Sequence, residues 1–130
     1  MGEQEPYVSP PNLLQYAREA AARHPMLDAV YRQHLADEGE ILPTLYLADV
    51  VRVFVPAFMD PQTREHARGV LQVMEEGMVH DDPEVVNMVA VGFVETLPYG
   101  NELGTKEIWA ALPPRLRASW EEMYGLPTAP

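Results

Sequence analysis

A chain of 130 residues with 47% hydrophobic content can bury one core and is too short for two of ordinary size, so a single domain is expected. The formal net charge of -11 disfavours nucleic acid and anionic membrane as partners and favours cationic ones. The absence of cysteine excludes disulfides, thiolate metal sites and thiol catalysis, and is compatible with a reducing compartment, the cytoplasm being the default.

Residues Met1 to Ser9 are polar and acidic, with neither the basic nor the apolar region of a signal peptide. They read as a loose arm (1–9) before a helical domain over 10–125, with a loose tail over 126–130. Ten of the thirteen prolines lie within that domain, and most of these stand where a helix would begin, at the first position, whose N–H needs no partner. Helix 1 is predicted from Pro11 to Arg23 and helix 2 from Pro25 to about Glu38, stopped by Gly39. Helix 3 runs from Pro43 to about Val55, although the β-branched Val50, Val51, Val53 and Val55 would also suit a strand. No other segment alternates with period two, so such a strand would have no partner. The most apolar run, Ile41 to Met59, is broken by Pro43, Asp49, Arg52 and Pro56, which argues for a buried helix over a membrane span.

Asp60-Pro61 and Asp82-Pro83 each combine an N-cap carboxylate with a proline at the first position and are predicted to open helices 4 and 5. In helix 4 the spacing of Ala67, Val70, Leu71, Met74 and Met78 gives one apolar face. Helix 5, predicted over 83–97, is apolar nearly all round and is expected to be central, with Val89 and Phe93 buried. Asn87 is expected as a buried amide, Gly92 as a site of close helix packing, and Glu95 as a carboxylate reaching solvent or pairing with an arginine such as Arg52. Two short helices follow, Thr105 to Leu112 and Pro113 to Tyr124, the last stopped by Gly125. The fold class is therefore all-α, a single bundle of about seven helices.

Chemistry is sparse along the chain. The four histidines follow no metal-ligand spacing, and the cluster His80, Asp81, Asp82, Glu84 reads as a solvated turn and helix cap. Ser9 and Ser119 lack the surroundings of a nucleophile, and no glycine-rich phosphate loop exists. No catalytic residue, metal or cofactor is expected.

Charge distribution is more informative. Between Arg68 and Lys106 lie seven carboxylates, Glu75, Glu76, Asp81, Asp82, Glu84, Glu95 and Glu102, without one Lys or Arg. Acidic pairs also fall in or near the last turns of three predicted helices: Asp37-Glu38, Glu75-Glu76 and Glu121-Glu122. The helix dipole favours cations there, and a surface acid at that end forgoes roughly 0.3 to 1 kcal/mol. Solvated faces of an acidic protein would explain these pairs, as would acids kept for a basic partner. Tyr99, in the loop between helices 5 and 6, is either a contact anchor or packed beneath its own loop. The partner-binding candidates are Glu75, Glu76, Asp81, Asp82, Tyr99, Glu102, Asp37, Glu38, Glu121 and Glu122.

The segment from Asp81-Asp82-Pro83-Glu84 through Asn87, Phe93 and Glu95 to Leu97, preceded by Val73-Met74-Glu75-Glu76, resembles the core of small acidic bacterial proteins of the kind that serve as immunity proteins in polymorphic toxin systems. The likeness covers roughly Pro43 to Trp120. It implies an all-helical, non-enzymatic cytoplasmic protein that binds and blocks one cognate toxin domain, a partner to which the acidic charge independently assigns a basic face. It also implies that Asn87, Phe93 and Glu95 are architectural, and it assigns no contact residue. A helical adaptor for another basic partner, or an enzyme using carboxylates such as Glu95 and Asp49, are the alternatives.

Overall fold

The computed structural model describes residues 8–127. Most of the expected N-terminal arm (1–9) and the last three residues of the expected tail (126–130) lie outside them. Of the arm's described residues, Val8 is exposed and Ser9 is buried beside the Ile41 carbonyl, so the chain joins the body one residue earlier than expected.

Seven α-helices follow one another, and no strand occurs among the described residues. They are α1 (Pro11–Ala21), α2 (Pro25–Glu38), α3 (Pro43–Met59), α4 (Arg64–Gly77), α5 (Pro83–Gly92), α6 (Thr105–Ala111) and α7 (Pro114–Tyr124), with a 3-10 turn over Val94–Thr96. Proline occupies the first turn of α1, α2, α3, α5 and α7, as the sequence predicts. Among the described residues no helix is long and apolar enough to cross a membrane.

Helix α1 ends two residues before the expected Arg23, at Ala21, and α6 and α7 differ by one residue each, while three boundaries differ by more, each for a local reason. Helix α3 does not stop at Val55 but continues through Pro56 to Met59. The proline removes one intrahelical hydrogen bond. The extra turn is held by burial of Phe58 against Phe54, and by Thr63 Oγ1 and Arg64 Nε, which donate to the otherwise unsatisfied carbonyls of Ala57 and Phe58 at 2.6 and 2.7 Å. Asp60-Pro61 consequently does not open α4. Asp60 ends α3, its Oδ1 accepts the Gln62 N–H at 2.9 Å, and α4 starts at Arg64. Helix α5 ends at Gly92, five residues short of Leu97, because the chain tightens into the 3-10 turn while Thr96 Oγ1 donates to the Gly92 carbonyl at 2.9 Å.

The segment Val50 to Val55 is helical, with Val50, Val51 and Phe54 inward and Val53 exposed. Helix α3 packs against α1, α2, α4 and α5, and α5 packs against α1, α3 and α4, so the two share the centre of the bundle. Phe93 and Val89 are fully buried, and Phe93 meets Phe54 at 5.9 Å between ring centroids. Their close approach depends on Gly92: a Cβ there would lie 2.8 Å from the Thr44 carbonyl oxygen and 3.0 Å from Leu47 Cβ. Asn87, expected as a buried amide, is exposed on the outer face of α5.

Candidate functional site

Two histidines outside the acidic stretch fix local structure. His34 is buried, its Nε2 accepts the Leu42 N–H at 3.1 Å, and Nδ1 lies 2.7 Å from Asp49 Oδ2. An amide can only donate, so Nε2 is the acceptor and Nδ1 carries the proton given to Asp49. A histidine oriented by a carboxylate resembles a general-base pair, but here the basic nitrogen is already occupied. Asp49 also pairs with Arg52. His24 caps α2, its Nδ1 accepting the Met26 N–H at 3.0 Å while Nε2 donates to the His66 carbonyl at 2.9 Å. Burial, opposed by that carbonyl and reinforced by His66, lowers its pKa. No group of three or more His, Asp or Glu side chains is arranged to hold a metal among the described residues.

The acidic candidates divide by what they do within the fold. Glu75 stands in the last turn of α4, where the dipole argument disfavours it, but its two oxygens accept the backbone N–H groups of Arg115 and Leu116 at 2.9 and 3.0 Å. It therefore sits before the first turn of α7, at the favourable end of a neighbouring helix. Glu76 pairs with Arg23 at the end of α1, and that contact holds its carboxyl below the usual range. Asp82 caps α5 through the Glu84 N–H at 2.9 Å and accepts the Asn12 amide at 2.7 Å. The Asn12 bond, then the Glu84 N–H, lowers its pKa. Asp37 accepts from Gln33 at 2.8 Å, and Glu121 accepts the Trp109 indole N–H at 2.8 Å. Glu38, Asp81 and Glu122 are exposed, with no ion pair to a described residue. Of the six acids at helix ends, Glu75, Glu76 and Glu121 are thus explained by contacts that single-helix reasoning does not contain, whereas Asp37 bonds within its own helix and Glu38 and Glu122 face solvent.

Two candidates, Tyr99 and Glu102, come together with residues the sequence did not single out as contacts. The loop after the 3-10 turn bends through Gly100 and Gly104, at φ of 65° and 90°, a conformation that favours glycine. Within it the Tyr99 N–H donates to Glu102 Oε1 at 2.8 Å, and Thr105 Oγ1 donates to the Glu102 carbonyl at 2.8 Å. The Tyr99 ring stacks on Tyr124 of α7, with centroids 4.4 Å apart and planes 1° from parallel. The Tyr124 hydroxyl donates to the Glu95 carbonyl at 2.7 Å, and Trp120 Nε1 donates to the Pro98 carbonyl at 3.1 Å. Burial foremost, then the Glu95 carboxylate, Tyr99 and the Glu102 carboxylate, raise the Tyr124 pKa.

The result is an aromatic step bordered by acids, with Tyr99 49% exposed and Leu103 85% exposed at the loop tip. The Glu95 side chain reaches solvent, one of the two arrangements expected for it; it does not pair with Arg52. Sequence reasoning saw Tyr124 only as a helix end and passed over Leu103, though an apolar residue between acid and glycine in an exposed loop was a usable signal.

Such a surface can stack on planar groups, attract cations and cover apolar side chains. No curated protein and no solved structure matches the chain. Residues 17–125 match the family described as a domain of unknown function (DUF7674), and since that match spans most of the sequence, the chain belongs to this family.

Proposed function

We propose that this protein is a stoichiometric binder of a basic protein partner, and that the partner is a cognate bacterial toxin domain neutralised in the cytoplasm. The single observation that carries the reading is the charge pattern: nine basic against twenty acidic residues, with none of the basic ones between Arg68 and Lys106. Exposed acids on that stretch, notably Asp81, Glu95 and Glu102, support it, because toxins that attack nucleic acid or nucleotides present basic clefts which an acidic surface complements. The resemblance to immunity proteins supports a toxin domain as that partner. An enzymatic reading through Asp49 or Glu95 is disfavoured by geometry, since Asp49 is engaged by His34 and Arg52 and Glu95 lies in solvent.

The test is co-expression with candidate toxin domains, any encoded next to this gene first, followed by purification. A one-to-one complex and rescued growth are the expected results. Association should slow by roughly tenfold or more between low and high salt if the charges steer encounter. Reversing Glu38, Asp81, Glu95 and Glu122 to Lys should weaken the complex without lowering the unfolding free energy by more than about 1 kcal/mol, because these side chains are exposed. Equal association rates for the two proteins across the salt range would reduce the acidic surface to a solubilising one.

A further inference from the structure

We propose that the step formed by Tyr99, Tyr124, Glu95, Glu102 and Leu103 is a docking platform for an arginine-bearing segment of the partner protein, with the arginine adjacent to an apolar residue. This rests on the reading of the chain as a binder of a basic protein and adds which face is used and what it recognises.

The geometry selects arginine. Stacking on Tyr124 covers one face of the Tyr99 ring, and the residue is still 49% exposed. A planar guanidinium can lie flat on a tyrosine face and still direct its N–H edge at a carboxylate, whereas a lysine ammonium cannot stack and must choose. Both carboxylates stand at the margin of the step: Glu102 is tied to the Tyr99 backbone through Oε1, leaving its second oxygen for a ligand, and Glu95 bears the carbonyl that Tyr124 holds. Both lie close enough to the Tyr124 hydroxyl to disfavour its ionisation.

An apolar neighbour of the arginine has a place beside the step. A groove of about 420 Å³ runs between α3 and the loop, lined by Val51, Val55, Pro56, Pro98, Glu102 and Leu103. Arg52 also borders it, but its charge is paired with Asp49. The loop is already fixed by its bonds to Trp120 and Thr105 and by the stack of Tyr99 on Tyr124, so docking orders few new side chains, which favours affinity.

The experiment uses two short blocked peptides, one with two arginines flanking a leucine and a twin with lysines, titrated at physiological salt into the isotopically labelled full chain and followed by NMR. The arginine peptide should bind at least about fivefold more tightly than its twin, with shifts centred on Tyr99, Leu103, Glu102 and Tyr124. Glu95→Gln and Tyr99→Ala should each erase most of that preference, and Tyr99→Phe, which keeps the ring, should retain it. Equal affinities for the twins, or shifts spread evenly over Glu38, Asp81 and Glu122, would overturn the platform while leaving a binder of basic proteins standing. Concentration-dependent shifts at the step without peptide would assign it to a second copy of this chain and overturn the proposal. Silence toward both peptides even at low salt would overturn the platform and the acidic-surface reading together.

Discussion

Glu75 is the residue at which local and tertiary reasoning disagree most. Within α4 alone its charge is misplaced, yet two charge-assisted bonds to Arg115 and Leu116 make it the cap that α7 lacks, since Pro113 offers no side-chain acceptor. Glu75→Ala should therefore cost about 1 to 2 kcal/mol in urea denaturation. Glu75→Gln, keeping one acceptor, should fall between, and Asp81→Ala should cost under about 0.5 kcal/mol. A loss at Glu75 no larger than that at Asp81 would remove the capping role. Three titratable groups shape the response to acid in the same direction. His24 has a depressed pKa because its neutral ring is partly buried, and Glu76 and Asp82 are depressed by Arg23 and by Asn12 respectively. For each, the unfolded chain takes up protons first as pH falls, so stability present above the ordinary value is lost below it. The His24 contribution should decline from about pH 6.5 downward and the carboxylate contributions from about pH 4. Unfolding midpoints measured from pH 8 to 3 should show both declines, the first diminished in His24→Gln.

At the scale of the helices, proline position was the legible signal and proline chemistry the misleading one. Pro11, Pro25, Pro43 and Pro83 begin helices in agreement with their missing N–H. Pro61 carries the same local signature and does not, because the preceding helix claims Asp60 as its end, a choice decided by burial of Phe58 and by capping from Thr63 and Arg64. Pro56 is tolerated inside α3 for the same reason. Restoring its N–H should stabilise the helix, offset in part by the freedom the unfolded chain regains, so Pro56→Ala should add about 1 to 2 kcal/mol. Chemical denaturation would show it as a higher midpoint at unchanged slope, and a lower midpoint would mean that the proline ring contributes packing the helix needs. The candidate surface was only half legible. Tyr99 and Glu102 are neighbours in sequence, but their partner Tyr124 is brought to them by the docking of α7, and sequence spacing cannot reveal a stack between residues 25 positions apart.

Over the whole molecule, acids outnumber bases by twenty to nine, while the arginine–carboxylate pairs among the described residues are few and, Asp49 apart, exposed. Exposed pairs contribute at most about 1 kcal/mol each, so repulsion among the surplus carboxylates dominates the electrostatic balance. Thermal unfolding should therefore shift to higher temperature as sodium chloride rises from about 20 mM to 0.5 M, over which screening shortens to a few ångströms. A downward shift would mean that the pairs outweigh the repulsion. The placement of the indoles adds something further. Trp109 lies in α6 under Arg117, and Trp120 lies buried in α7 beneath the Pro98 carbonyl, so both tryptophans belong to the last two helices. Tryptophan fluorescence, excited selectively over tyrosine, consequently watches the C-terminal quarter of the chain, whereas circular dichroism averages over every helix. Comparing the two signals through one denaturation reveals, with no label added, whether α6 and α7 come away from the body before the rest yields.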